Sequence, residues 1–464
     1  MLKPYKKNYK NKIFYLSILS IIFSVYCNFE NYIGTKALFI IFNFSTLLLF
    51  LTVIRKNASA FEFFFGFFLL LSFWFKFSCI LYFEDIKVTE GNFDLKISNY
   101  DKSTIVIIFS FIGFVIGSFL RELIFSFYFK DCKFEINPFF LIFYKKYKSY
   151  ILFFFIFFLL TIYLINFNYK IYNRGLVNEN IPTLIKYFFS WSFTYGLSAI
   201  TAILIYLDYY VSKNKKYFFL GIFETFASNI TIFSRSFLLS IFSYIRGFLY
   251  LESYKKKNFS ILSVCKIFLL LLIFLFLSFY VVSQLRNINF IKSEFKKPKT
   301  IESTISEFRY LSINRWVGID ALLTVSQNKN LSFKFLKSSL SEKKKFREGS
   351  FYIDNFYQNF KNTDIEKINV VITPGLIPYL FYSGSVIFVF FSIIIIIIFC
   401  SLIEKLYFIF SAKNQILINI IGYAMANRLT HFGYLPYNTV YYLLSIFMTL
   451  LCVYILFILL WKKF

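Results

Sequence analysis

The sequence predicts an all-α polytopic membrane protein of about 12 transmembrane helices with one large external loop that contains amphipathic helices. Three observations predict it. Hydrophobic residues make up 58% of the 464 positions, far above a soluble average. They come in blocks long enough to cross a bilayer. Lysine clusters fall in every second connection between those blocks, as cytoplasmic loops require.

In chain order the spans fall at 13–27, 37–54, 61–83, 104–120, 150–167, 187–210, 217–233, 236–250, 260–283, 375–400, 414–427 and 438–461. The first follows a lysine-rich start and imitates a signal peptide, but no small-residue cleavage site follows it, so it is expected to be an uncleaved helix. Inner connections carry Arg55 with Lys56 and the lysines of 130–148, 213–216 and 255–257, then Lys405, Lys413, Lys462 and Lys463. The connection at 84–103 is net acidic and belongs outside. Both termini are thereby expected in the cytoplasm, with the chain in a bacterial inner membrane. Residues 1–284 hold spans one to nine, 285–371 form the large periplasmic loop, and 372–464 hold the last three spans.

The large loop has 12 Lys and 4 Arg against 9 acids. Long loops cross the membrane largely regardless of charge, so this composition does not invert the orientation. The stretch 303–328 has a broad apolar face at helical spacing, and 331–340 a second one; both are expected to lie on the membrane surface over the outer mouth of the bundle.

The formal charge of +27 raises nucleic acid as a partner. Its lysines sit between apolar blocks, where topology explains them, and no nucleic-acid partner is expected. No CxxC pair occurs among the six cysteines, and the single histidine excludes a multi-histidine metal site, leaving carboxylate-only binding of a hard ion as the metal option; the chain is expected to need no metal and no cofactor. Phosphate-loop, HExxH and hydrolase-type GxSxG motifs are absent.

Arginine is distributed differently from lysine. Of ten arginines, seven fall on the external side: Arg174, Arg235, Arg286, Arg309, Arg315, Arg347 and Arg428. Both residue types serve as topological charge, but only arginine offers a planar fork that binds phosphate or carboxylate through two parallel hydrogen bonds. The external face is therefore expected to hold a polyanion.

Two constellations stand out. Arg315-Trp316-Val317-Gly318-Ile319-Asp320, with Arg309 less than two turns earlier, places an anion-binding group and a carboxylate too far round a helix to neutralise one another. Solvated charges on a surface helix would give the same pattern. Asn427-Arg428-Leu429-Thr430-His431, followed by Tyr434, sets Arg428 and His431 three apart at the end of the eleventh span. Arg174 precedes the sixth span beside Gly175, and Arg235 sits at the tip of a tight hairpin. Glu224 lies inside the seventh span and Lys76 inside the third; ionisable groups at such depth are functional candidates by default, although the lysine stem could snorkel outward. Thr373-Pro374-Gly375-Leu376-Ile377-Pro378 interrupts the start of the tenth span, which suits a cavity wall or a capped helix start.

With cytoplasmic termini, one late external loop and these external arginines, the chain resembles the bacterial oligosaccharide repeat-unit polymerases of the Wzy type, within the O-antigen polymerase and ligase group. The similar segments are 173–209, 234–246, 315–325, 373–385 and 427–437. The resemblance implies a GT-C-like, inverting, metal-independent glycosyltransferase that moves a glycan from undecaprenyl diphosphate onto an incoming lipid-linked repeat unit. It implies membrane lipid, a chain-length regulator and a flippase as further partners. Some members carry paired Arg-x10-Gly motifs; here Ile185, Asp320 and Ser326 stand eleven residues after Arg174, Arg309 and Arg315. The family's diphosphate-binding role is carried to Arg174, Arg235, Arg315 and Arg428, with Arg309 and Tyr434 as further glycan contacts. The base that takes the acceptor proton is expected among Asp320, His431 and Glu224. Competing readings are an O-antigen ligase, a GT-C enzyme using polyprenyl-phosphate sugars, and a lipid-linked oligosaccharide flippase or transporter.

Overall fold

A computed structural model describes residues 7–55, 57–83, 93–94, 96–128, 138–173, 181–212, 218–234, 236–253, 261–290, 305, 308, 310, 312–342, 351–356, 373–433 and 436–455. Among them the chain is helical and contains no β-strand. We number the helices α1 (Lys7–Asn28), α2 (Lys36–Val53), α3 (Ala60–Tyr82), α4 (Ile97–Tyr128), α5 (Pro138–Tyr169), α6 (Thr183–Ser212), α7 (Phe218–Thr231), α8 (Phe237–Ser253) and α9 (Ile261–Phe290). Short helices α10 (Ile319–Ser326), α11 (Phe333–Leu340), α12 (Phe351–Phe356) and α13 (Leu376–Leu380) precede α14 (Val386–Phe410), α15 (Gln415–Thr430) and α16 (Pro436–Tyr454). Eleven of the twelve predicted spans overlap one helix each over the described residues, while the tenth, 375–400, divides into α13 and α14. Eight helices among the described residues are long and apolar enough to cross a membrane. The chain is a polytopic helical membrane protein.

The core is α4 against α2 and α14, with α15 inserted between α3 and α8. Close approach is bought by glycine: a Cβ on Gly113 would lie 2.8 Å from Phe390 O, and one on Gly247 2.6 Å from Ile416 Cα. One end of this core is tied by charge. Glu404 of α14 accepts the first N–H groups of α3, from Ala60 at 2.8 Å and Phe61 at 2.7 Å, where a helix N-terminus favours negative charge. Arg121 Nε donates to Glu62 at 3.0 Å, and Ser118 Oγ donates to the same oxygen at 2.6 Å. Arg55 pairs with Glu122 at 3.1 Å, while Arg246 bonds Asn419 and stacks on Phe63. Helices α3, α4, α8, α14 and α15 are thus cross-linked at that end.

The segment 303–328 does not form one surface helix. The described chain breaks at Arg315 to Gly318, and α10 restarts with all eight residues buried against α4 and α13. Thr324 and Ser326 turn their hydroxyls onto the helix's own carbonyls, at 3.0 and 2.7 Å, so no polar face remains to hold it at an interface. The second stretch is closer to expectation: α11, capped by Ser332 Oγ accepting from Phe335 N, exposes Phe333 and Leu340 and buries Leu336.

Candidate functional site

At the end of the core opposite the ion pairs, three segments far apart in sequence meet through glycines. Gly318 has φ +144° and Gly375 φ +85°, conformations L side chains rarely adopt. A Cβ on Gly318 would lie 2.7 Å from the Phe73 ring; one on Gly375 would lie 3.1 Å from Thr430 O, 3.3 Å from Val317 Cγ1 and 3.8 Å from Gly318 Cα. Gly375 N donates to Phe432 O at 3.0 Å. The Arg315 loop, the Thr373-Pro374-Gly375 turn and the end of α15 are therefore in van der Waals contact. Gly375, Leu376 and Ile377 wall a cavity of about 10 Å³ with Val317, Gly318 and Thr430, room for no more than about one water.

Helix α3 supplies the other side of this junction. Its α-helical pattern is interrupted by a π-helical segment, Leu70–Phe75, which presents Ser72 and Phe73 to the cavity. Lys76 follows directly. It does not snorkel: its side chain is 0% exposed and places all three protons, on Asp320 Oδ2 at 2.9 Å, Asn314 O at 3.1 Å and Trp316 O at 3.0 Å. The two carbonyls flank Arg315, so Lys76 fixes the turn that carries it. Asp320, expected at an open face, is instead wholly buried with this ammonium as its counter-charge. In this structure the carboxylate therefore faces an ammonium and not an open site.

Arg428 and His431 end α15. The helix closes at Thr430, and His431 is its C-cap. The guanidinium of Arg428 lies 5.6 Å from the Tyr442 ring centre, and its Nε is buried without a hydrogen-bond partner among the described residues. His431 is exposed, with Nδ1 2.9 Å from Asn427 O. A carbonyl only accepts, so this contact calls for a proton on Nδ1, which in the neutral ring leaves the lone pair on Nε2.

Neither a family model, nor a curated protein, nor a solved structure matches this chain. Arg315, Arg428 and His431 belong to segments that meet at the junction. Glu224 does not: it lies within α7 in a separate cavity between α6, α7, α8 and α15. Arg174, Arg235, Arg309 and Tyr434 lie outside the described residues. Sequence reasoning missed Lys76 as the clamp on the Arg315 turn, although its presence inside an apolar block was the available signal.

Proposed function

We propose that this chain joins undecaprenyl-diphosphate-linked oligosaccharide repeat units into a surface polysaccharide at the periplasmic face of a bacterial inner membrane, with twelve spans in a GT-C-like arrangement. The observation that carries this reading is the glycine junction, where the Arg315 turn and the Arg428–His431 helix end meet. Arg428 and Arg315 hold the diphosphate. A buried guanidinium Nε without a partner is a donor that a bound anion completes, and preorganised cations at a leaving diphosphate lower the barrier to its departure. His431 Nε2 takes the proton of the acceptor hydroxyl as the acceptor oxygen bonds to the anomeric carbon. The bond from that carbon to the diphosphate breaks, and the lipid diphosphate leaves with the electron pair.

A ligase, which passes the same donor to a different acceptor, would use the same groups. The transport reading is favoured by the polar cavity at Glu224 and disfavoured by the charge-tied end of the core, which a translocated glycan would have to part. Purified protein in liposomes, given lipid-linked repeat units on the outside only, is expected to lengthen them into a ladder without translocation. Lengthening that requires a second acceptor lipid, or movement of label to the lumen without lengthening, would sink the proposal.

A further inference from the structure

The mid-bundle cavity at Glu224 is set apart from the junction by its chemistry. Glu224 is 1% exposed. Its Oε1 accepts from Ser228 Oγ at 2.9 Å, and its Oε2 from Ser198 Oγ at 3.0 Å and Tyr244 OH at 2.9 Å. Three hydroxyls thus lie within hydrogen-bonding distance of the carboxyl, and Tyr244 OH also reaches Ser198 O at 3.1 Å, so its single proton serves one of the two contacts at a time. An isolated charge at this depth requires compensation. No Lys or Arg pairs with Glu224 among the described residues, and three cations of the neighbouring helices are engaged elsewhere. Lys148 of α5 pairs with Asp208 of α6, Arg246 of α8 bonds Asn419, and Arg286 of α9 donates to Phe233 O at 2.8 Å. Arg428 of α15 lies five residues beyond Tyr423, which lines the cavity, a rise of about 7.5 Å.

The cavity itself has a volume of about 30 Å³, room for one or two water-sized guests. Oxygen-bearing side chains surround it: Thr194, Thr225, Asn229, Ser240 and Ser243 complete the ring begun by Glu224 and its three donors. Oxygen ligands suit a hard cation, and one carboxylate balances one positive charge; a divalent ion would draw on more carboxylates. The π-helical turn Ser192–Gly196 in α6 widens the helix where Phe193 and Thr194 meet the cavity.

We infer that Glu224 and the surrounding hydroxyls form a binding site for a small monovalent cation of sodium type, which staples α6, α7 and α8 at mid-depth. Such a site stands whether or not the junction transfers sugar, and binding can be read without turnover.

The test is thermal unfolding of the purified protein in detergent with sodium chloride against choline chloride at equal ionic strength. The wild-type midpoint is expected to rise saturably with sodium and not with choline. E224Q removes the response, and S228A raises the half-saturating sodium concentration by about tenfold or more. Equal midpoints in sodium and choline would overturn the site, as would a sodium response that survives in E224Q. A wild-type midpoint that follows pH but ignores sodium would overturn it too, assigning the carboxyl a proton instead. Should E224Q fail to fold, an unchanged half-saturating concentration in S228A is the result that rejects the proposal.

Discussion

Arg428 sits over a tyrosine ring with its Nε buried, an arrangement that selects a guanidinium over an ammonium. Arg428→Lys keeps the charge and loses the fork. It is expected to lower polymerisation by the equivalent of about 2 to 4 kcal/mol of transition-state stabilisation, measured as the initial rate with a defined lipid-linked repeat unit. Arg55→Lys, at the charge-tied end, should leave that rate unchanged. His431→Ala is expected to abolish turnover while donor binding persists, because the proton acceptor is lost and the diphosphate contacts stay. Wild-type rates for both site variants at normal membrane insertion would return these residues to plain anchoring. The three-residue spacing of Arg428 and His431 is visible in the sequence, since neighbours on a helix follow from its pitch. The engagement of Asp320 by Lys76 is not, because helical periodicity says nothing about partners on a distant segment.

At the scale of elements, the contrast between a continuous amphipathic pattern and the broken chain at 315–318 has a physical cause. One glycine inside a helix costs only about 1 kcal/mol, too little to announce a break. Gly318 departs from helical backbone at φ +144°, against the Phe73 ring on one side and within reach of Gly375 on the other. The π-helical segments of α3 and α6 are equally silent in the sequence, since an inserted residue leaves an apolar block apolar. Gly318→Ala and Gly375→Ala are each expected to destabilise the protein by about 1 to 3 kcal/mol through strained backbone alone, with Phe73 crowding added at Gly318. The measure is thermal unfolding in detergent, with Gly384→Ala, on the opposite flank of α13, as a comparison of similar strain away from the junction. A lower polymerisation rate beyond the loss of folded protein should appear only in the first two.

For the whole molecule, hydropathy located the apolar blocks that are helical, eight of them among the described residues long and apolar enough to cross a membrane, because burial of backbone in lipid leaves helices as the way for short apolar blocks to cross. Orientation rests on the lysine clusters and is open to direct measurement. In a background without native cysteines, Asn330→Cys, on an exposed turn, is expected to react with a membrane-impermeant thiol reagent in intact spheroplasts. Lys146→Cys, exposed near the start of α5, should react only after permeabilisation. The opposite pattern would invert the chain and move the junction to the cytoplasm. The ion pair between α3 and α10 also bears on biogenesis. Lys76 enters the bilayer when its partners have yet to be synthesised, with 240 residues separating it from Trp316. Through that interval the nascent third helix carries an uncompensated ammonium in a hydrocarbon environment, a burden of several kcal/mol for an intermediate. Until α10 is made, that ammonium can be served only by its own reach outward or by water, and the folded contacts with Asp320, Asn314 and Trp316 become available to it last.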